Sequence, residues 1–205
     1  MQPKPEFDIN TEQQLRDVIA EPPLAAADKV ESSIVPSFAD FIARSPLVMV
    51  ATADRQHRLD VSPKGDAPGF VQVLNEKLLA IPERKGNRLA FGFQNILQTG
   101  TISLIFIIPG TRETLRLNGR ARLNRDPHLL AHLAADAKPA LLTTLVQVDE
   151  AFFHCGKALV RSQLWQASSH NKDGETLVRQ YFSQRRQLDI QTVDQSLETD
   201  YSQGL

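Results

Sequence analysis

The chain has a single cysteine, Cys155, among 205 residues. That excludes an intramolecular disulfide and a zinc site built on several thiolates, and it leads us to expect a reducing, cytoplasmic setting. Long apolar runs are scarce as well. The longest, "ISLIFIIP", is too short to cross a bilayer, and the opening "MQPKPEFDIN" is polar. Neither a membrane partner nor a signal peptide is expected. An excess of one charge is also missing: 23 Lys and Arg against 24 Asp and Glu leave a net charge of −1. This argues against a nucleic-acid partner, which needs a basic face or stripe. A small anionic ligand needs only a few local cations and is compatible with the balance.

Several chemical signatures are absent too. There is no GxxxxGK[ST] and no GxGxxG, no repeat and no low-complexity segment. His128 and His132 stand four apart on a predicted helix without a third ligand, so no metal is expected. His154 and Cys155 are neighbours on a predicted strand and point to opposite faces. No nucleophilic pair is expected there, and Cys155 is read as a small buried residue.

A composition that is 41% hydrophobic is enough for the core of one domain, residues 1–205. Residues 1–45 read as a helical extension, 46–165 as the core and 166–205 as a polar tail. In the extension, "NTEQQLRDVIAEP" carries a Thr11/Gln14 capping box and stops at Pro22–Pro23. "LAAADKVES" is a second, weak helix. "PSFADFIARSP" is a third, with Phe38, Phe41 and Ile42 on one face. Beyond Pro46 the pattern turns to strands. "LVMVATAD" and "RLDVSPKG" form one predicted hairpin, and "GFVQVLN" with "KLLAIPE" a second. "GNRLAFGFQNILQTG" is a helix with Asn87 as its cap and Gly100 past its end. "TISLIFIIPG" reads as a strand buried on both faces. "ETLRLNGRARL" alternates, with a bulge at Gly119. "DPHLLAHLAAD" is a helix capped by Asp126. "ALLTTLVQVDEAFFH" and "GKALVRSQLW" are two further strands, and the tail holds one short helix near 177–182. About seven strands joined mainly by short turns predict a mainly β protein, an antiparallel barrel with decorating helices.

Two stiff, glycine-marked basic segments stand out: "SPKGDAPG" from Ser62, and "PERKGNRLAF" from Pro82. In the second, Arg84, Lys85 and Arg88 surround Gly86 and Asn87 where a strand gives way to a helix. A helix start offers unpaired N–H groups and a partial positive charge to a phosphate, and guanidinium groups add charge-assisted bonds. The same segment also reads as a solvated basic turn. Ser62 and Lys64, two apart on a strand, share a face, as do Thr114 and Arg116. Ser62 and Lys64 suit a pocket wall or an ordinary turn; Arg116 suits a polar pocket, a dimer interface or plain solvation.

The segments "DVSPKGDAPGFV", "IPERKGNRL", "NIL", "IPGTRETLRLNGRARL" and "FHCGKALVRSQLW", in that order over roughly 46–165, resemble the pyridoxamine 5′-phosphate oxidase-like, FMN-binding split-barrel superfamily. Within it they resemble the bacterial branch of FMN-dependent enzymes. The resemblance implies a split antiparallel barrel and a homodimer with FMN at the subunit interface. It places Asn87 and Arg88 where the oxidases carry the Arg–Lys pair that holds the flavin phosphate, with Arg84 or Lys85 able to compensate for the cation lost at Asn87. It sets Ile81 and Pro82 beside the isoalloxazine ring, Asp60 to Lys64 on the other flavin-lining strand, and Thr114 at a flavin-contacting position with Arg116 on the same face. Trp165 is a candidate cover for the ring. The oxidases' Tyr/Arg/Ser set for the substrate phosphate has no counterpart in "HLLAHLAADAKPA", and the ending "ETDYSQGL" lacks their terminal motif. Only Lys64 falls where a substrate-phosphate lysine stands. The resemblance therefore implies FMN-dependent redox chemistry on a small-molecule substrate other than the vitamin B6 phosphates. A flavin-binding module without turnover, and a barrel holding another anion such as heme, remain open beside it.

Overall fold

The computed structural model describes residues 2–23, 28–86, 88–169 and 173–204. Residues 1–30 and 31–205 form two compact units. In the first unit, one turn of 3-10 helix at Pro5–Phe7 precedes α1 (Glu12–Val18). The α1 capping box is complete: Thr11 Oγ1 accepts from Gln14 N at 3.2 Å, and Gln14 Oε1 accepts from Thr11 N at 3.2 Å. Of the second predicted helix, 24–27 lie outside the described residues, and 28–32 are a turn and a bridge, not a helix. A turn at 28–29 then leads to Glu31, which is bridged to Ala151.

The second unit opens with α2 (Pro36–Arg44), whose Phe38 and Ile42 are buried and whose first turn holds Pro36. Seven strands come next: β1 (Leu47–Ala53), β2 (Leu59–Gly65), β3 (Gln72–Asn75), β4 (Leu78–Glu83), β5 (Thr101–Ile107), β6 (Thr114–Asn124) and β7 (Leu142–His154). They make one antiparallel sheet in the order β2-β1-β5-β6-β7-β4-β3. Both predicted hairpins are present, β1/β2 and β3/β4. The first is closed by Asp54, whose carboxylate accepts from Gln56 N and Arg58 N at 2.8 and 2.9 Å and from Arg58 Nε at 2.6 Å. These bonds hold the Asp54 carboxyl below the usual carboxylate range, the Arg58 N–H most of all.

The sheet curls so that its inner face buries Val48, Leu104, Phe106, Leu115, Leu117, Val146 and Val148. Phe38 and Phe41 close one end edge-on against Phe153, with ring centroids 5.1 and 5.4 Å apart. The β6/β7 register shifts between Asn118 and Gly119, but the extra residue is Asp149 on β7, so the bulge expected at Gly119 lies on the strand opposite it. Gly119 is obligatory: a Cβ there would lie 2.0 Å from the Gln147 carbonyl oxygen. β5 departs from expectation. Ile102, Leu104 and Phe106 are buried, while Ser103, Ile105 and Ile107 on the opposite face are only half-buried. Its run is apolar on both sides, yet the core covers one side alone.

Helix α3 (Phe91–Thr99) connects β4 to β5, and α4 (Pro127–His132), capped by Asp126, connects β6 to β7. "GKALVRSQLW" is not a strand. It forms α5 (Lys157–Ser162) and a following turn, because β7 already pairs with β6 and β4 and offers no free edge. The tail carries more helix than its composition suggested: α6 (Asp173–Arg186) and α7 (Ile190–Gly204). They form a pair joined by Arg179, which bonds Asp194 and lies 3.1 Å from Glu175. Among the described residues no helix is long and apolar enough to cross a membrane.

Candidate functional site

The two edges of the sheet come back toward each other. β2 is an edge strand, β4 is next to the opposite edge, and two ion pairs span the opening between them. Lys64 Nζ on β2 lies 2.8 Å from Glu83 Oε2 on β4, and Arg84 Nε lies 2.9 Å from Asp66 Oδ2. Lys64 also sits 4.9 Å over the Phe93 ring of α3. All four ion-pair side chains are largely shielded from water. The two basic segments are therefore stitched to one another through their own carboxylates.

Above these pairs lies a cavity of about 770 Å³ bounded by β2, β4 and α3, within the ~300–1,000 Å³ usual for cofactor sites. Its apolar wall includes Val50, Phe70, Ile81, Phe93 and Ile96; its basic end is Arg84, Lys85 and Arg88. Ser62 and Lys64 share this wall because β1 pairing sets them opposite Val50 and Val48, on the inner face.

Helix α3 is tied down at its far end and open at the near one. Asn95 Nδ2 donates to Thr52 Oγ1 at 3.1 Å in the interior, and Thr99 Oγ1 donates to Ala53 O at 2.7 Å. Gly100, at φ 68°, terminates the helix as expected. The predicted cap, Asn87, lies outside the described residues, and the helix starts only at Phe91. Ala90, at φ 56°, occupies the N-cap position and has no side chain to cap with. The helix's positive end thus meets the cavity with no capping bond from Ala90; the Asp60 carboxylate stands beside its first turn and Arg88, itself at φ 62°, just before it. Left-handed backbone at two non-glycine residues is the kind of strain that collects at ligand sites. Arg84 Nη1 is buried and has no hydrogen-bond partner among the described residues.

Six of the nine predicted site residues meet in this cavity: Ser62, Lys64, Ile81, Pro82, Arg84 and Arg88. Thr114 and Arg116 do not. They face outward from β6, opposite His154 and Phe152 of β7, with Arg116 5.6 Å over the Phe152 ring. Trp165 is also elsewhere; its Nε1 donates to Thr111 O at 2.8 Å. Cys155 is exposed, not buried, because the chain has left the sheet there to enter α5. Among the described residues no group of His, Cys, Asp or Glu could hold a metal. Sequence reasoning missed the ion-pair partners Glu83 and Asp66; it set Asp60 on the flavin-lining strand but gave its carboxylate no role. The alternation that groups Ser62 with Lys64 also places Asp60 on that face. No local signal announces pairings across the opening.

An incompletely closed antiparallel barrel with a cation-rimmed cleft at its split defines the split-barrel class. The model for the family described as pyridoxamine 5′-phosphate oxidase matches residues 34–155, more than half of the chain, and the chain belongs to that family. No curated protein matches it. Among solved structures it is similar to HupZ from Group A Streptococcus, with 18% identity, 58% of this chain and 93% of that one covered, and a TM-score of 0.47. It is similar to an FMN-binding protein from Syntrophomonas wolfei (7%; 55% and 80%; 0.43). It is also similar to the heme storage protein HutZ from Vibrio cholerae (16%; 60% and 94%; 0.42). Likenesses this distant carry no functional weight.

Proposed function

We propose that the cavity between β2, β4 and α3 holds FMN and that the protein is an FMN-dependent oxidoreductase acting on a small molecule. The observation that carries this reading is the convergence of an apolar wall and a basic, uncapped helix start in one cavity. Arg88, Lys85 and the free Nη1 of Arg84 suit the phosphate, and Ile81, Pro82 and Ser62 suit the ring. When bound, FMN supplies hydride or single-electron transfer through its ring system. The chain's own part is to bind, orient and exclude water. Lys64 and Glu83 hold the two flanking strands together as a fixed pair. Among the described residues lining the cavity there is no His, Cys, Met or Tyr, the usual ligands of a heme iron, which favours flavin over heme.

A homodimer belongs to the same proposal. The outer face of the sheet carries Thr114 and Arg116 together with half-buried Met49, Ile105 and Phe152, and with Leu59 and Val61, 78% and 58% exposed. An apolar face of this kind suits a second copy. It gives Thr114 and Arg116 an interfacial role that one chain alone cannot give them. The test is the visible spectrum of the purified protein, followed by acid release of the chromophore. FMN at about one per chain is the expected result. A colourless protein that also fails to take up added FMN overturns the reading.

A further inference from the structure

The charges of the cavity narrow the substrate, given the FMN reading above. Lys64 holds the position that the family resemblance assigns to a substrate phosphate, but its charge is committed to Glu83 at 2.8 Å. Arg84 is bound through Nε to Asp66 at 2.9 Å. Lys85 and Arg88 make no ion pair among the described residues, and a bound phosphate of charge near −2 would take them up. No cation is then left for a second anion.

The opposite holds for one carboxylate. Asp60 lies on β2 two residues from Ser62, on the inner face opposite buried Thr52, and it lines the cavity. It is half-buried and makes no hydrogen bond or ion pair among the described residues. Its carboxylate lies beside the first turn of α3 and makes no hydrogen bond to that turn among the described residues. Gly92 leaves just enough room for it: a Cβ at that position would stand 3.2 Å from Asp60 Oδ2. A shielded carboxylate facing a ligand cavity with only the partial charge of a helix start beside it, and no hydrogen bond or ion pair among the described residues, costs desolvation energy, and a cationic group placed there offsets that cost.

We propose that the substrate of this site carries a positively charged nitrogen that pairs with Asp60, and that anionic substrates, phosphate esters included, are rejected. The probes are benzylamine, benzyl alcohol and benzoate, which match in size and differ in charge. Each is titrated into the FMN-loaded protein by difference absorption of the flavin, and into the flavin-free protein by calorimetry. Benzylamine is expected to bind at least tenfold more tightly than benzoate. Asp60→Asn should weaken benzylamine at least tenfold and leave benzyl alcohol within twofold. Benzoate binding as tightly as benzylamine to the wild-type protein overturns the proposal, whether or not the variant folds. So does an Asp60→Asn protein of unchanged melting temperature that keeps benzylamine affinity within twofold, and so does a loaded protein that binds none of the three. Failure of the protein to load FMN is a separate result. It removes the flavin reading, while benzylamine affinity of Asp60→Asn against the parent, read by calorimetry, still decides whether Asp60 selects a cation.

Discussion

Two glycines mark opposite regimes of this molecule. At Gly119, where β6 and β7 shift register, a methyl group would fall 2.0 Å from the Gln147 carbonyl oxygen; at Gly86, in the basic loop, a methyl group would meet nothing within 4 Å. The barrel seam is determined by packing, down to single atoms. Beyond Arg84, which pairs with Asp66, the loop that opens on the cavity finds almost no partner among the described residues, so its composition of Lys85, Gly86 and Arg88 asks for a reason outside the fold. A ligand is such a reason. The contrast says where substitutions should change stability and where they should change binding.

The largest effect is expected at the seam. Gly119→Ala must displace a backbone carbonyl, and overpacking of this kind costs about 3 kcal/mol or more. For a chain of this size the melting temperature should fall by roughly 6–12 °C. A fall of under 2 °C would mean that the seam relaxes freely, and the comparison would fail.

Arg88→Ala tests the other regime. Arg88 is exposed and makes no ion pair among the described residues. Loss of a charge-assisted bond to a phosphate is worth about 1.5–3 kcal/mol, so FMN affinity should drop by roughly ten- to a hundredfold. The melting temperature of the flavin-free protein should stay within about 1 °C. Full flavin occupancy in the variant would remove the phosphate from this loop.

Between the two lie the ion pairs across the split. A double-mutant cycle on Lys64→Met and Glu83→Gln should give a coupling of about 1 kcal/mol in urea denaturation, since the side chains are 23% and 17% exposed. A coupling of zero would mean that the split is held by strand packing alone. Asp54 adds a dependence on pH. Its carboxyl is held low in the folded chain, chiefly by the Arg58 N–H. It therefore stabilises the β1/β2 hairpin fully above the unfolded carboxylate range near pH 4. That contribution is lost as pH falls through the depressed folded value. The melting temperature of Asp54→Asn should accordingly change less than that of the parent between pH 5 and pH 2.

The same division explains what the sequence made legible. Strand alternation, the Asp126 and Thr11 caps and Gly100 are local or nearly local rules, and each is met in the structure; the bulge expected at Gly119 falls on the facing strand at Asp149, because Gly119 makes room for the β7 backbone. "GKALVRSQLW" misled because its apolar residues fit either period, and only the sheet's own pairing, with no free edge at β7, decides between them. The start of α3 was misplaced because Asn87 is the better cap by residue type, whereas the turn through Arg88 and Ala90 delays the helix to Phe91. Spacing put Ser62 and Lys64 on one wall of the cavity, and the resemblance supplied Ile81 and Pro82 on the other. The ion pairs closing it join residues 18 and 19 positions apart and exist only once the sheet has curled. Thr114 and Arg116 were grouped with the cavity by resemblance, while alternation along β6 turns them to the other side of the sheet.

Gly86→Ala is the smallest change and separates fold from ligand most cleanly. Gly86 does not occupy the left-handed region, and an added methyl has open space around it. Stability of the flavin-free protein should change by no more than about 0.5 kcal/mol. Yet Gly86 lines the cavity between Lys85 and the Arg88 turn, where close approach of the backbone to a phosphate leaves little room for a side chain. FMN affinity should therefore fall two- to fivefold while the melting curve stays put. A variant unchanged in both would place the phosphate away from this backbone and assign its recognition to the side chains of Arg84 and Arg88. A variant that loses stability would show that the loop is packed after all, and the contrast with Gly119 would collapse.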